Sequence, residues 1–393
     1  MMKFIHDTVS VCNHCYRHVP GVVFERDDKI WLSKKCQTHG VMEEVVEPDV
    51  EFYYSLSRPR ARNIDMIMFE ATDKCQLKCP HCYHLPDNKS VDASVETLLS
   101  KFASYPRGFT PIIVGAEATL HKDIIPLAHS IVDRYGKTRI ISNGIRFSDA
   151  TFTKELLQGY NVLPSIGLNH YSYQGKKVHE KQLRGIANCK EFGELEDVGY
   201  TLESLDHLPD IIEELDKLKD EKLTKVRIRA GSFIGRSSDL SRNYLSTTVK
   251  RLKSLLGNDL EMDPWDDNPY HVMAKWNGLV LRIIQWPDVR NIDLEELETG
   301  PWADFSRGAI SNFVHQVIMR DAFVNNKLKP LDQVPEYYRP KTGENIHHWK
   351  DNWSGPVEVK DFEYKITDPE KMPVPIGKVI PIKELEVFPG AVH

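Results

Sequence analysis

Between Asn63 and about residue 256 the chain alternates short apolar, β-branched runs with amphipathic stretches, and this alternation limits the fold more than any other feature. Strand-like runs fall at 64–72, 110–114, 138–142, 162–168, 197–202 and 225–230. Helix-like stretches separate them at 94–104, 123–135, 151–159, 178–191, 207–219 and 239–256. Six βα units in succession predict an α/β fold with a parallel sheet. The charge-rich segment 208–229 reads as a solvated helix face carrying Glu213, Glu214, Lys217 and Lys219. With 393 residues, 41% of them hydrophobic, the chain can build one large domain with appendages, or two domains.

Charge and cysteine usage narrow the function classes. The net charge of −6, with signs interspersed, offers no electrostatic footprint for a nucleic-acid backbone. No apolar run approaches the ~18 residues of a membrane span, and the start, Met-Met-Lys-Phe-Ile-His, lacks the apolar core of a signal peptide. Neither nucleic acid nor membrane is therefore expected as a partner. Seven cysteines form two clusters plus Cys189. That pattern fits metal ligation in a reducing, cytoplasmic setting, not a disulfide framework. Cys189, inside a helix-like stretch, reads as a small buried hydrophobe.

The first strand-like run leads into Cys75-Gln-Leu-Lys-Cys79-Pro-His81-Cys82. Three thiolates in one tight loop suit an iron–sulfur cluster, and three ligands leave one iron open. The loop would sit at the C-terminal end of its strand, the rim where barrel folds carry their chemistry. A structural zinc site is the competing reading.

Residues 1–50 read as a separate small unit. Cys12-Asn-His-Cys15 is followed by Cys36-Gln-Thr-His39, with the alternating segments 21–26 and 29–33 and the turn Asp27-Asp28 between them. Two knuckles joined by a hairpin describe a ribbon holding one tetrahedral metal through Cys12, Cys15, Cys36 and His39, either zinc or a single iron. Residues 47–62 read as a linker or cover strand. After 257 the alternation stops, and Asn277-Gly278 between two apolar runs signals a hairpin. A helix over 309–324 and a strand over 376–382 follow, with His347, His348, Trp349 and Trp353 as candidate lid residues. The expected division is 1–50 ribbon, 51–256 barrel and 257–393 an α+β C-terminal extension closing the barrel mouth.

The C-x3-C-x2-C spacing, with His81 before the last cysteine, resembles the signature of the radical S-adenosylmethionine superfamily. The resemblance covers about residues 63–235 and implies a partial (β/α)6 barrel. It also implies a 4Fe-4S cluster on Cys75, Cys79 and Cys82, with S-adenosylmethionine chelating the open iron. A reductant such as flavodoxin or ferredoxin would supply one electron. Cleavage of a C–S bond then yields, most generally, a 5′-deoxyadenosyl radical. Gly115-Ala-Glu117-Ala-Thr119 is similar to the family's Gly-Gly-Glu-Pro motif and departs from it at Ala116 and Ala118. Ser142 and Asn143 resemble the family's ribose-contacting position, and Gly231 opens a stretch that resembles the loop along the adenine. Arg227 and Arg229 share one face of the last strand-like run; a guanidinium aimed inward would clamp the methionine carboxylate and an outward one would be solvated, and Arg229, nearest the mouth, is the candidate. On the same rim, His170 and Glu203 are candidates for moving a proton on the substrate. The ribbon ahead of the radical loop resembles the subgroup with the pterin-modifying class D methyltransferases and tetraether-forming lipid enzymes. With no cysteine after Cys189 there are no ligands for a second cluster of the SPASM or twitch type, so a small-molecule substrate is expected. Methyl transfer and 3-amino-3-carboxypropyl transfer remain open beside hydrogen abstraction. A non-catalytic zinc module is the alternative of another class.

Overall fold

The computed structural model describes residues 2–14, 18–56, 66–82, 86, 88–89, 91–102, 110–230, 243–268, 270–285, 290–291 and 293. The side chains of 9, 18, 66–70, 100–102 and 264–268 lie outside that description.

The chain opens with a four-stranded antiparallel sheet in the order β1 (Lys3–Val11), β2 (His18–Arg26), β3 (Lys29–Cys36) and β4 (Gly40–Glu47). Asp27 and Asp28 both take positive φ, 51° and 55°, the twist that a two-residue hairpin turn requires. The sheet covers a small core of Val23, Ile30, Leu32, Val46 and Tyr53. Tyr53 comes from α1 (Val50–Ser55), a helix where the sequence suggested a linker or cover strand. The reason is local: Asp49 caps the helix by accepting the backbone N–H of Phe52 at 2.8 Å, and the Tyr53 ring finds apolar cover on the ribbon.

The α/β architecture follows. Strands β5 (Met66–Glu70), β6 (Thr110–Val114), β7 (Thr138–Ser142), β8 (Val162–Gly167), β9 (Asp197–Thr201) and β10 (Lys225–Ala230) lie side by side in chain order, each parallel to the next. Helices α2 (Val95–Phe102), α3 (Ile124–Tyr135), α4 (Ala150–Leu157), α5 (Lys176–Phe192) and α6 (Leu208–Leu218) connect them, and α7 (Leu245–Leu256) follows β10. Strand side chains alternate between the two faces. Ile166, Val198, Tyr200, Val226 and Ile228 pack in one core with Leu127, Ile131, Ile186, Ile211 and Leu215 of the helices. The opposite face is polar. There the Arg227 Nε donates to Asp197 at 2.7 Å and its NH2 to Ser165 at 2.7 Å. Cys189 is fully buried in the helix-side core.

One charged residue of α6 is placed otherwise than expected. Lys217 and Glu213 form an exposed pair, but Glu214 turns inward and accepts from Tyr200 at 2.7 Å and pairs with His179 of α5. The amphipathic period puts 211 and 215 in the core, so 214 falls at the edge of the buried stripe.

Beyond α7, β11 (Leu260–Asn268), β12 (His271–Trp276) and β13 (Leu279–Gln285) form an antiparallel set. The turn between β12 and β13 is Asn277-Gly278, with φ of 50° and 83°. Strand β13 then lies parallel to β10, Arg282 opposite Arg227, so the hairpin extends the sheet to nine strands. The segments 309–324 and 376–382 and residues 347–349 and 353 lie outside the described residues.

The ribbon rests on the last part of this layer. The Lys250 Nζ of α7 meets Asp49 at 2.5 Å, and the backbone N–H of Ser246 reaches the Glu47 carboxylate at 3.4 Å. Thr8 and His6 bond Asp293 at 2.6 and 2.8 Å. Among the described residues no helix is long and apolar enough to cross a membrane.

Candidate functional site

The cysteine loop begins where β5 ends. Its entry is pinned: the Thr72 hydroxyl donates to Asp92 at 2.6 Å, Lys74 Nζ meets the same carboxylate at 2.9 Å, and the Cys75 N–H donates to Asn88 at 3.0 Å. The Leu77 N–H points at the Cys75 sulfur (3.4 Å), and the Cys82 N–H closes a turn onto the Cys79 carbonyl (3.2 Å). Burial pushes the Cys75 thiol up to about 11, with the negative charges of Glu117 and Cys82 adding to it. Burial likewise pushes Cys79 up to about 12, with Cys82 and Cys75 adding. Thiols so placed become thiolates only beside a strong positive charge, which a metal centre supplies. The donor set therefore fits a metal centre held by thiolates, an iron–sulfur cluster or a zinc ion.

The turn after β6 lies against this loop. Gly115 has φ of +154°, and a Cβ there would stand 2.5 Å from the Thr72 carbonyl oxygen. The Ala116 N–H donates to that same oxygen at 3.0 Å. Backbone thus passes backbone with no room for a side chain, a close approach that glycine permits. Glu117 is buried, and its carboxylate is surrounded by donors. It accepts from the Thr119 N–H (3.1 Å) and hydroxyl (2.6 Å), from the Ser142 hydroxyl (2.7 Å) and from the Asn143 N–H (2.6 Å). Burial raises its pKa, while those hydrogen bonds hold the anion. Glu117 therefore splices the ends of β6 and β7. The Ser142 hydroxyl is spent inside that splice, and it also accepts the Gly144 N–H at 3.0 Å. The Asn143 side chain faces the cysteine loop: its Oδ1 accepts from Gln76 at 3.3 Å, and its Nδ2 stands 4.0 Å from the Cys75 sulfur.

On the other flank His81 pairs through Nδ1 with Glu203 at 2.9 Å, which ties the cysteine loop to the end of β9. The Glu203 N–H donates to the Tyr173 hydroxyl (2.9 Å), and that hydroxyl meets His207 Nδ1 at 2.9 Å. His170 has its two ring nitrogens bonded to Ser172 (2.7 Å) and Asp210 (3.1 Å), with its ring stacked on His207 at 4.2 Å. None of those bonds reaches the cysteine loop. Arg229 lies two residues beyond Arg227 on the same polar face of β10, toward the rim. Gly231 and Cys15 lie outside the described residues.

One contact has no motif behind it. Gln174 Nε2 stands 2.7 Å from the Cys79 sulfur. The sole sequence hint is its place just past the rim segment Asn169-His170-Tyr171.

In the ribbon, donor atoms of Cys12, Cys36 and His39 all lie within 4.8 Å of one another. His39 Nδ1 is 3.4 Å from the Cys12 sulfur and 3.5 Å from that of Cys36. Two buried thiols and an imidazole converging on one point fit a tetrahedral metal ion.

Comparison with known proteins agrees with this layout. Residues 4–48 match the HMPTM N-terminal zinc ribbon domain. The 7,8-dihydro-6-hydroxymethylpterin dimethyltransferase of Methanocaldococcus jannaschii is 22% identical over 230 residues, 47% of this chain and 44% of the relative. The Fe-coproporphyrin III synthase of Methanosarcina barkeri is 26% identical over 199 residues, 47% of this chain and 49% of the relative. The chain thus spans about half the length of the curated relatives it matches. Among solved structures, Streptococcus suis SuiB bound to S-adenosylmethionine aligns with a TM-score of 0.41 and 13% identity, covering 66% of this chain and 57% of that one. The ribbon match and the curated relatives bear out the resemblance to the radical S-adenosylmethionine superfamily, in the subgroup whose chains begin with a metal ribbon.

Proposed function

We propose that the chain is a radical S-adenosylmethionine enzyme that modifies a small-molecule substrate. The observation that carries this is the meeting of the Cys75–Cys82 loop with the Glu117–Asn143 splice at the C-terminal ends of three neighbouring parallel strands. When bound, a 4Fe-4S cluster and S-adenosylmethionine supply one-electron cleavage of a C–S bond.

This chain's residues then divide the remaining work. Cys75, Cys79 and Cys82 would hold the cluster. The backbone around Gly115 and Ala116 accepts hydrogen bonds from the ligand's amino group. Arg229 would clamp its carboxylate, the Asn143 amide and the strand end at Ser142 would meet the ribose, and Gly231 is the candidate for the adenine. Glu203 holds the His81 ring in place through their 2.9 Å contact, and Glu203 and His170 are the rim candidates for work on the substrate. Residues 1–50 form the ribbon unit, its Cys12, Cys15, Cys36 and His39 binding zinc or a single iron. Residues 51–256 form the barrel, and the described strands β11–β13 of the C-terminal extension continue its sheet beside β10. The electron comes from a flavodoxin or ferredoxin, in the reducing cytoplasm that free cysteines require.

Methyl transfer is the second reading, favoured by the ribbon match and by the Methanocaldococcus relative being a dimethyltransferase. A product assay separates the readings. Anaerobically reconstituted protein with dithionite should release 5′-deoxyadenosine for hydrogen abstraction, S-adenosylhomocysteine for methyl transfer, or methylthioadenosine for aminocarboxypropyl transfer. C79A should abolish both the brown colour and the product. A wild-type protein that stays colourless after reconstitution leaves only a zinc-pinned scaffold.

A further inference from the structure

The segment between β8 and α5 touches the cysteine loop at two points. Its short 3-10 turn (Tyr171–Tyr173) ends in Tyr173 and Gln174. Tyr173 grips Glu203, the partner of His81, while Gln174 presents its amide nitrogen to Cys79. The turn itself is firm: Gly175 N–H donates to the Tyr171 carbonyl at 2.8 Å, and the Tyr173 hydroxyl is held between Glu203 and His207. The Gln174 amide thus stands on a fixed base, not at the end of a loose loop.

Its polarity has one consistent sense toward a metal-bound sulfur. A thiolate only accepts hydrogen bonds, so the NH2 end of the amide must face it. The other end, Oε1, is buried with no partner among the described residues. A buried amide oxygen left without a partner costs stability, while its Nε2 is turned toward a sulfur.

We propose that Gln174 is a positioning residue for the iron–sulfur centre, holding an N–H dipole against the Cys79 sulfur and so setting the potential at which the centre takes up its electron. This rests on the reading of the Cys75–Cys82 loop as a cluster site. Reduction adds negative charge to the centre and its sulfurs. A donor aimed at one of those sulfurs stabilises the reduced form more than the oxidised form, so it raises the potential. Gln174 faces Cys79, whereas Asn143 faces Cys75.

The test is a redox titration of the anaerobically reconstituted full-length chain, followed by electron paramagnetic resonance, with iron and sulfide content measured in parallel. In Q174L the donor is gone, and the oxidised-to-reduced ratio at a fixed potential should rise about tenfold, which is ~59 mV for one electron. Q174E keeps the side chain's length, removes the donor and adds a negative charge. It should move the potential in the same direction and further, and it carries the test should Q174L fail to load iron. Variants that hold the wild-type iron content and titrate together with the wild type overturn the proposal while leaving the cluster reading intact. A wild-type chain that takes up no iron–sulfur centre removes both at once.

Discussion

Glu117, at the end of β6, accepts the backbone N–H of Asn143, at the end of β7, at 2.6 Å. This single bond, with three others to the same carboxylate, fixes the distance between two strand ends that face the cysteine loop. E117Q would turn an NH2 group toward one of those donors. The expected cost is about 1–3 kcal/mol of stability, since a buried donor loses its acceptor. Thermal melts should show it, and calorimetric affinity of the reconstituted protein for S-adenosylmethionine should fall by ~10-fold, about 1.4 kcal/mol.

Gly115 sets the spacing between that splice and the cysteine loop. In G115A the new Cβ meets the Thr72 carbonyl at 2.5 Å and is also strained by the +154° φ. Such a conformation costs a non-glycine residue about 1–3 kcal/mol. Because Thr72 leads directly into the loop, iron uptake on reconstitution should drop well below that of wild type. Unchanged iron content would show that the loop does not depend on this contact.

Glu47 gives the junction between ribbon and barrel a pH dependence. Burial raises its carboxyl to about 7, opposed by hydrogen bonds from Ser246 and from the Asp49 N–H. The Asp49 charge adds to the rise, and Lys250, paired with Asp49, lies within reach of the Glu47 carboxylate. The folded state therefore holds this proton more tightly than the unfolded chain, and stability falls as pH rises. The contribution is whole below the ordinary glutamate range and is lost by about pH 7, a span worth roughly 3 kcal/mol. E47Q, neutral throughout, should flatten the melting temperature between pH 5 and 7.5 relative to wild type.

Removing the ribbon metal should melt the ribbon. Its core of Val23, Ile30, Leu32, Val46 and Tyr53 is small, and so small a unit leans on a metal or on its neighbours for stability. C36S should reduce bound ribbon metal to none by elemental analysis and expose amides of β3 and β4 to hydrogen exchange. Retention of both metal and protection would place the ligands elsewhere.

The parallel sheet was legible because each strand and helix carried its own period, and the turns Asp27-Asp28 and Asn277-Gly278 carried their own φ preference. Helix α1 was not: its start depends on one capping aspartate and its stability on Tyr53 reaching the ribbon, and neither leaves a period in six residues. The inward turn of Glu214 was hidden for a similar reason. Its partners, His179 and Tyr200, come from different elements. In the site, the cysteines and Gly115 announce themselves through spacing. Gln174 does not, because a glutamine aimed at a sulfur ninety-five positions earlier becomes visible only when β8 and β5 stand in one sheet.

The register of β13 on β10 carries a last consequence. Arg282 stands beside Arg227 on a strand that arrives by hairpin, outside the βα succession. The sheet edge opposite β5 thus belongs to antiparallel strands outside the βα succession, whose residues on the Arg227 face can be exchanged without altering a single βα crossover. Substitutions there can reshape that face while the cysteine loop and the Glu117–Asn143 contact are left as they were.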